Sequence, residues 1–403
     1  MPQGKRRARR GTRLRVVASP APYRSAEKLQ LRRCGALDVY SDGRSELWYA
    51  ARVAIPCVLL TRSLCALGAA MLLPIAAAAE TSGGLRLSVG GGFDSNARRD
   101  YESVGTQADG FAFITGAGNL LLNTGRAQAA AAYELGLRQF FMTPSANVTA
   151  QAATAQGLFL IAPSWAMGLA GRGKDRRGGD RDYSDLAGNA FVEWAATRAL
   201  DIRLEAGARR FLYRPLFEYS FKATEFAAEA RYRFDRRHSI ALLGELGLRF
   251  YNGDARADPA LDPAPNPFQR QDLAFLGGLS YRYRGPVALS LSYHYGRADS
   301  NSFGETNYRH RLLASAGMRV FWELTVLAQA AIQVIHYPEG KSSSPDLLLL
   351  EDDNQDSISL KLLRPLSSHL DAELFFGFYH ANVPQNGLTY LRQVAWIGIA
   401  WRL

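Results

Sequence analysis

The residues that could carry out chemistry are few and scattered along the chain. The six histidines are His238, His294, His310, His336, His369 and His380. No two of them have a zinc-ligand spacing such as His-x-x-x-His, and single histidines facing water are the simpler interpretation. His294 and Ser302 could approach each other within one connection, but no hydrolase motif surrounds them. We therefore predict that the protein is not an enzyme and holds no cofactor.

Two polar stretches concentrate acidic side chains. One contains Asp346, Glu351, Asp352, Asp353 and Asp356, and the other contains Asp175, Asp180, Asp182 and Asp185. The first group could chelate calcium or share divalent cations with lipopolysaccharide phosphates. A solvated, charged connection is the simpler interpretation for both groups, so no metal site is predicted.

The segments that must position these residues alternate with a period of two. In one segment the apolar face carries Phe226, Ala228, Ala230, Tyr232 and Phe234, and the other face carries Glu225, Glu229, Arg231 and Arg233. Successive side chains of a strand point to opposite faces, so this pattern predicts a strand that is apolar on one side only. The segments last about ten residues, which a tilted strand needs to cross a bilayer, whereas ordinary strands last about five or six.

We predict sixteen such strands. They start near Leu85, Phe111, Ala127, Val148, Trp165, Leu186, Leu200, Thr224, Ser239, Leu273, Pro286, Leu312, Leu324, Ser357, Leu370 and Leu391. The strand from Val148 alternates poorly and the one from Ser357 is short, so fourteen or eighteen strands stay open as alternatives.

The predicted connections alternate between long and short. Long ones start at Asp94, Gly173, Asn252, Gly296 and Tyr337, and short ones lie around residues 123–126, 162–164, 197–199, 235–238, 284–286, 322–323 and 364–368. Short turns on one rim and long loops on the other are typical of outer-membrane barrels. The fold class is therefore predicted as all-β: a transmembrane, antiparallel, up-and-down β-barrel with short periplasmic turns and long extracellular loops.

The N-terminal part differs from the rest in charge. Residues 1–79 contain 14 of the 48 basic and 4 of the 37 acidic side chains, together with all three cysteines, Cys34, Cys57 and Cys65. The nearly neutral remainder gives no support to nucleic-acid binding, and without cysteine it cannot form disulfides or thiolate metal sites.

Residues 63–79 read SLCALGAAMLLPIAAAA. A basic flank, a short apolar stretch and an Ala-x-Ala ending indicate a secretory signal peptide. We expect the signal peptide to span 52–79, with cleavage after Ala79, and the barrel to span 80–403. Residues 1–51 are expected to be a basic disordered extension, or to lie upstream of the true translation start.

The segment GGGFDSNARRD, from Gly90 to Asp100, resembles the Gly-x-aromatic-Asp-Ser-Asn segment of Gram-negative outer-membrane barrels of the porin-like and export type. It recurs in part as Asp299-Ser300-Asn301. The resemblance implies a barrel in the outer membrane of a Gram-negative bacterium. Such barrels end in an amphipathic strand that the barrel-assembly machinery reads, usually with a terminal Phe, in whose place this chain has Leu403.

The polar face of the predicted strands is expected to line the lumen. Its arginines are Arg203, Arg209, Arg231, Arg233, Arg249, Arg282, Arg284, Arg311, Arg319, Arg392 and Arg402, and its acids are Glu205, Glu225, Glu229, Glu245, Asp272, Asp371 and Glu373. On the lipid side an arginine would cost about 2 to 4 kcal/mol at the bilayer midplane. Arginine rings favour anions; alternatively, arginine and glutamate pair across strands and brace the wall.

These features predict an outer-membrane channel or export pore for small solutes or a polymer, with a preference for anions. The alternative is a non-conducting barrel whose loops form an adhesin, assembly or partner-binding surface. Expected partners are outer-membrane lipid, lipopolysaccharide, the barrel-assembly machinery and periplasmic export proteins.

Overall fold

The computed structural model describes residues 80–179, 181–258, 260, 268–339, 355–383 and 388–403. Several predictions lie outside these residues: the N-terminal extension, the signal peptide with its cleavage site, and the acids Asp180, Asp346, Glu351, Asp352 and Asp353. Within the described part of the chain the dominant element is the β-strand.

Sixteen strands are present among the described residues. They are β1 Glu80–Asp94, β2 Asp109–Asn123, β3 Ala127–Phe140, β4 Val148–Ala162, β5 Trp165–Arg177, β6 Tyr183–Ala195, β7 Leu200–Tyr213, β8 Phe221–Arg233, β9 His238–Asp254, β10 Gln269–Arg284, β11 Val287–Ser300, β12 Asn307–Arg319, β13 Thr325–His336, β14 Asp356–Pro365, β15 Leu370–Val383 and β16 Leu388–Arg402. Each strand pairs antiparallel with its sequence neighbours, and β1 pairs with β16 to close the barrel. The predicted strand count and all-β barrel class are confirmed.

Helical structure in the described ranges is limited to four short 3-10 helices, Glu102–Val104, Pro144–Ala146, Phe217–Tyr219 and Phe321–Glu323. Over the same residues, no helix combines the length and the hydropathy needed to cross a membrane.

The two rims of the barrel differ in their connections. At the short-turn rim the strands are joined by residues 124–126, 163–164, 196–199, 234–237, 285–286, 320–324 and 366–369. At the long-loop rim they are joined by residues 95–108, 141–147, 178–182, 214–220, 255–268, 301–306, 337–355 and 384–387. The first strand and the C-terminus meet at the short-turn rim, where Leu85 and Leu403 exchange backbone hydrogen bonds of 3.1 and 2.9 Å.

Two predicted long connections were wrong. The stretch from Gly173 is mostly strand, because β5 continues to Arg177 and β6 resumes at Tyr183. The stretch from Gly296 is likewise strand as far as Ser300. Backbone pairing continues past the apolar band into polar sequence, where side-chain alternation no longer signals a strand.

The outward surface carries large apolar side chains over its whole circumference. Leu242, Leu246 and Leu248 of β9 are exposed, as are Leu289 and Leu291 of β11. Exposed apolar surface on this scale is unfavourable in water and is typical of a lipid-facing barrel. Side chains at the alternate positions point inward, so the inner surface is where a function would reside.

Candidate functional site

The inner surface has two contrasting parts. One, which we call the charged wall, consists of the inward-facing side chains of β7, β8, β9 and β10. The other, which we call the aromatic wall, consists of inward-facing Phe111, Phe113, Phe140, Phe375 and Trp396 from β2, β3, β15 and β16. The predicted lumen residues lie mainly on the charged wall.

Among the predicted lumen arginines that lie on the charged wall, Arg203 is the most enclosed. Its Nη1 donates to Glu193 Oε1 at 3.0 Å, and its Nε pairs with Glu205. Its guanidinium carbon lies 3.7 Å from the centre of the Phe191 ring. Ion pairing and stacking together fix this arginine against the wall.

Other predicted arginines also have carboxylate partners. Arg209 binds Asp185 with two hydrogen bonds of 2.7 and 2.8 Å. Arg231 donates to Glu229 at 2.6 Å. Arg233 pairs with Asp201. These pairs connect neighbouring strands or alternate residues of one strand, so much of the predicted positive charge is balanced locally.

The middle of the charged wall remains open to water. Glu205, Ala227 and Glu245 form one row across β7, β8 and β9, and Ala227 separates the two carboxylates with a small side chain. Glu245 is exposed although it faces the interior, and the Glu225 side chain is 35% exposed. The exposure of these charged groups indicates that the described residues leave this part of the lumen unfilled.

The remaining predicted lumen residues occupy other levels of the barrel. Arg249 lies 5.4 Å from the Phe221 ring, and Asp272 pairs with Arg270 at 2.9 Å. Arg282 and Arg284 lie near the short-turn rim. Arg311 faces inward on β12, opposite His294 of β11.

Arg319 lies at the rim rather than along the lumen. It pairs with Glu323 at 3.1 Å, and both side chains are about two-thirds exposed, at 64% and 66%. Its exposure follows from this position, because β12 ends at Arg319 and the chain turns into the 3-10 helix Phe321–Glu323.

The aromatic wall is packed. Trp396 stacks on Phe375 with ring centres 5.3 Å apart and meets the edge of Phe113 at 5.1 Å. Gly90 and Gly92 of β1 leave room for two rings of this wall: a Cβ at Gly90 would lie 2.6 Å from the Phe113 ring, and one at Gly92 would lie 2.7 Å from the Phe111 ring. Both rings therefore lie directly on the backbone of β1.

A buried ion cluster lies beside the aromatic wall near the long-loop rim. Asp94, at the end of β1, accepts hydrogen bonds from Arg392 at 2.8 to 3.1 Å and from Arg138 at 3.1 Å. All three side chains are at most 1% exposed. The Arg138 guanidinium also lies 3.9 Å from the Phe111 ring. Arg392 was predicted to line the wet lumen, but it lies in a protein interior.

The Asp-Ser-Asn segment ties the connection 95–108 to the adjacent strand. Ser95 Oγ accepts the Gln393 N–H at 2.8 Å, and Asn96 Nδ2 donates to the Leu391 carbonyl at 3.2 Å. The partial repeat is built in a similar way, since Asn301 Oδ1 accepts the Gln271 N–H at 2.7 Å. The segment therefore has a structural role in both places.

The residues considered for catalysis or metal binding are not assembled into a site. His294 lies on β11, and Ser302 follows the end of that strand; eight residues of extended chain span about 26 Å. Asp175 is engaged by Arg177 at 2.8 Å and Arg214 at 3.2 Å. Within the described ranges, no group of three His, Cys, Asp or Glu side chains could hold a metal ion.

Two acids outside the strands have altered pKa values. Burial raises the pKa of Asp182, in the connection 178–182 at the long-loop rim. At the short-turn rim, Asp235 accepts the N–H groups of Arg237 at 2.6 Å and His238 at 2.8 Å. These two bonds lower the pKa of Asp235, so its carboxylate is committed to closing the turn 234–237.

The comparisons with known proteins concern the barrel alone. No family model and no curated protein matches the chain. Among solved structures, OprB of Pseudomonas putida is 11% identical with a TM-score of 0.45, covering 82% of this chain and 95% of its own. OccAB3 of Acinetobacter baumannii is 9% identical with a TM-score of 0.43, covering 80% of this chain and 99% of its own. A BenF-like porin of Pseudomonas fluorescens is 7% identical with a TM-score of 0.43, covering 80% and 99%.

Proposed function

We propose that the protein is a passive channel of the outer membrane that admits small solutes. One observation carries this proposal: Glu245 and Glu225 remain water-accessible inside the barrel, halfway along the charged wall. A barrel of about sixteen strands is wide enough to hold an aqueous channel. Export of a polymer is a narrower version of the same function.

The outer membrane is the proposed location because large apolar side chains are exposed around the outward surface and the strands close without an edge. In this placement the short-turn rim faces the periplasm. Outer-membrane lipid and lipopolysaccharide are then the surrounding partners, the barrel-assembly machinery inserts the chain, and a periplasmic export protein would dock at the short-turn rim. The protein should fractionate with outer membranes and migrate differently on gels before and after heating.

A preference for anions is the finer part of the proposal. Arg231, Arg233, Arg282 and Arg284 concentrate positive charge on the charged wall near the short-turn rim. The partners Glu229 and Asp201 balance part of it, so we expect a modest selectivity. Screening should weaken it as salt rises, because the Debye length is about 10 Å at 0.1 M.

Planar-bilayer recording of the purified protein tests both parts. An open channel should conduct, with a reversal potential in a potassium chloride gradient that favours chloride. Replacing Arg231, Arg233, Arg282 and Arg284 with Ser should move that potential towards potassium. A pore whose reversal potential ignores these changes would show that the arginines only brace the wall.

The second candidate is a non-conducting barrel that presents a partner-binding surface. The packing of the connection 95–108 favours it: Ala97 and Tyr101 are buried in the same cluster as Phe111 and Phe140. Protein therefore fills the interior on that side near the long-loop rim. Absence of conductance from correctly folded protein would support this candidate over the channel.

A further inference from the structure

Six arginines converge on one concave space at the short-turn rim. Its lining residues are Asp201, Arg231, Arg233, Asp235, Arg236, Arg237, His238, Ser239, Arg282 and Arg284. Four of the arginines point inward from β8 and β10, and Arg236 and Arg237 belong to the turn between β8 and β9. We call this space the rim pocket.

The charges of the rim pocket do not balance. Its two aspartates face six guanidinium groups, and Asp235 is held by the N–H groups of the turn. Asp201 pairs with Arg233, and Glu229, deeper in the barrel, pairs with Arg231. Six arginines against two aspartates give the lining of the pocket an excess of positive charge, which favours an anionic occupant.

The register of the strands sets the spacing of two of these arginines. Arg233, Ser239 and Arg282 form one inward-facing row across β8, β9 and β10. Neighbouring strands lie about 4.7 to 4.9 Å apart, so the backbones that carry the two arginines are about 10 Å apart. The short side chain of Ser239 leaves room between them. Two planar guanidinium groups in this arrangement can hold one tetrahedral oxyanion with paired hydrogen bonds.

We propose that the rim pocket is a binding site for the phosphate group of a soluble solute. A spherical, singly charged ion such as chloride cannot engage both guanidinium groups with paired hydrogen bonds, whereas a phosphate can. The source is a solute in the aqueous lumen rather than a lipid headgroup, because the four strand arginines point to the inner side of the barrel, whereas Tyr232, Phe234 and Tyr281 are exposed on the outward side. This inference rests on the proposed function, because it requires that the lumen be open to water at the short-turn rim.

Calorimetric titration of the full protein in detergent with pyrophosphate tests the site. We expect saturable binding at one site that weakens with added potassium chloride. The double variant Arg233→Ser/Arg282→Ser should bind about tenfold or more weakly. The matched control Arg126→Ser/Arg364→Ser removes two exposed arginines of the same rim that lie outside the pocket, and it should bind like the parent protein.

Three outcomes would overturn the site: no saturable binding by protein that still shows heat-modifiable mobility, equal weakening by both double variants, or no weakening by Arg233→Ser/Arg282→Ser. Vesicles with phosphatidylglycerol in place of phosphatidylcholine provide the lipid control. Loss of pyrophosphate binding only in phosphatidylglycerol would overturn the assignment to a soluble solute. Conductance without pyrophosphate binding would contradict the binding site but not the proposed channel. Binding without conductance would contradict the channel but not the binding site.

Discussion

The two parts of the inner surface use the same residue types in different surroundings. Beside the aromatic wall, Asp94 and its two arginines are at most 1% exposed. On the charged wall, Arg231 and Glu229 form a pair of similar length whose side chains are 21% and 25% exposed. Both sets lie on the polar face of their strands. The packing of neighbouring aromatic rings, rather than the alternation of the sequence, therefore decides whether an inward charge is dry or wet.

The energetic cost of losing one member of an ion pair differs between the two walls. Removing one member of a buried ion pair leaves an uncompensated charge and costs about 3 to 5 kcal/mol. A solvent-accessible pair contributes about 0 to 1 kcal/mol. The aromatic wall should accordingly stabilise the barrel, while the charged wall is available for interactions with solutes.

The largest expected effect follows from replacing Asp94 with Ala. Arg138 and Arg392 would keep their buried positions without this carboxylate, so we expect a loss of about 3 to 5 kcal/mol in the free energy of unfolding. Urea unfolding of protein in lipid vesicles, followed by tryptophan fluorescence, measures it. Glu229→Ala is the matched control on the charged wall and should cost no more than about 1 kcal/mol. Similar losses of unfolding free energy in the two variants would contradict the distinction between a packed aromatic wall and a solvent-accessible charged wall.

A smaller effect is expected on the lipid-facing surface of β9 and β11. Leu242→Arg and Leu289→Arg place a charge in the apolar band and should each cost about 2 to 4 kcal/mol near the bilayer midplane. Ser292→Arg, on the inward face of β11, has Ser280 and Leu313 as register partners and should insert almost normally. Membrane insertion can be followed by heat-modifiable gel mobility. Equal tolerance at all three positions would mean that the faces are assigned wrongly.

The smallest effect concerns the turn beside the charged wall. The pKa of Asp235 is lowered by the N–H groups of Arg237 and His238, so its charged form stabilises the fold. This contribution is present above its ordinary value of 3.8 and is lost as the pH falls below that value. Asp235→Ala should therefore be less stable than the parent at neutral pH, and the difference should vanish in acid. A difference in unfolding midpoint that persists unchanged in acid would contradict this explanation.

The barrel could be predicted from the sequence because lipid imposes a strict pattern. Apolar side chains must alternate wherever a strand crosses the bilayer, and the predicted starts at Ala127, Val148, Trp165, Leu200 and Leu370 coincide with those of the structure. Beyond the lipid the constraint disappears. The strand predicted from Leu312 therefore begins five residues earlier, at Asn307, and the one predicted from Leu273 begins at Gln269.

The inner surface was less predictable because its properties depend on distant partners. Arg392 and Asp94 are 298 residues apart in sequence, and nothing local indicates that they meet. Phe111 and Phe113 alternate in the sequence in the way expected of lipid-facing side chains, yet both point inward. The sequence therefore gives only a weak signal that the inner face of one wall is apolar. The turn arginines Arg236 and Arg237 were not identified as part of a pocket, because only the register of β8 to β10 brings them near Arg282.

Thiol labelling tests most directly the claim that one wall is wet and the other packed. Replacing Cys34, Cys57 and Cys65 with Ser removes all three native thiols. In that background, Glu245→Cys should react quickly with a water-soluble, charged methanethiosulfonate, and its modification should reduce the channel conductance. Val394→Cys, which lies at 0% exposure against the aromatic wall, should stay protected until the protein is unfolded. Protection of both thiols, or equal reaction of both, would contradict the account.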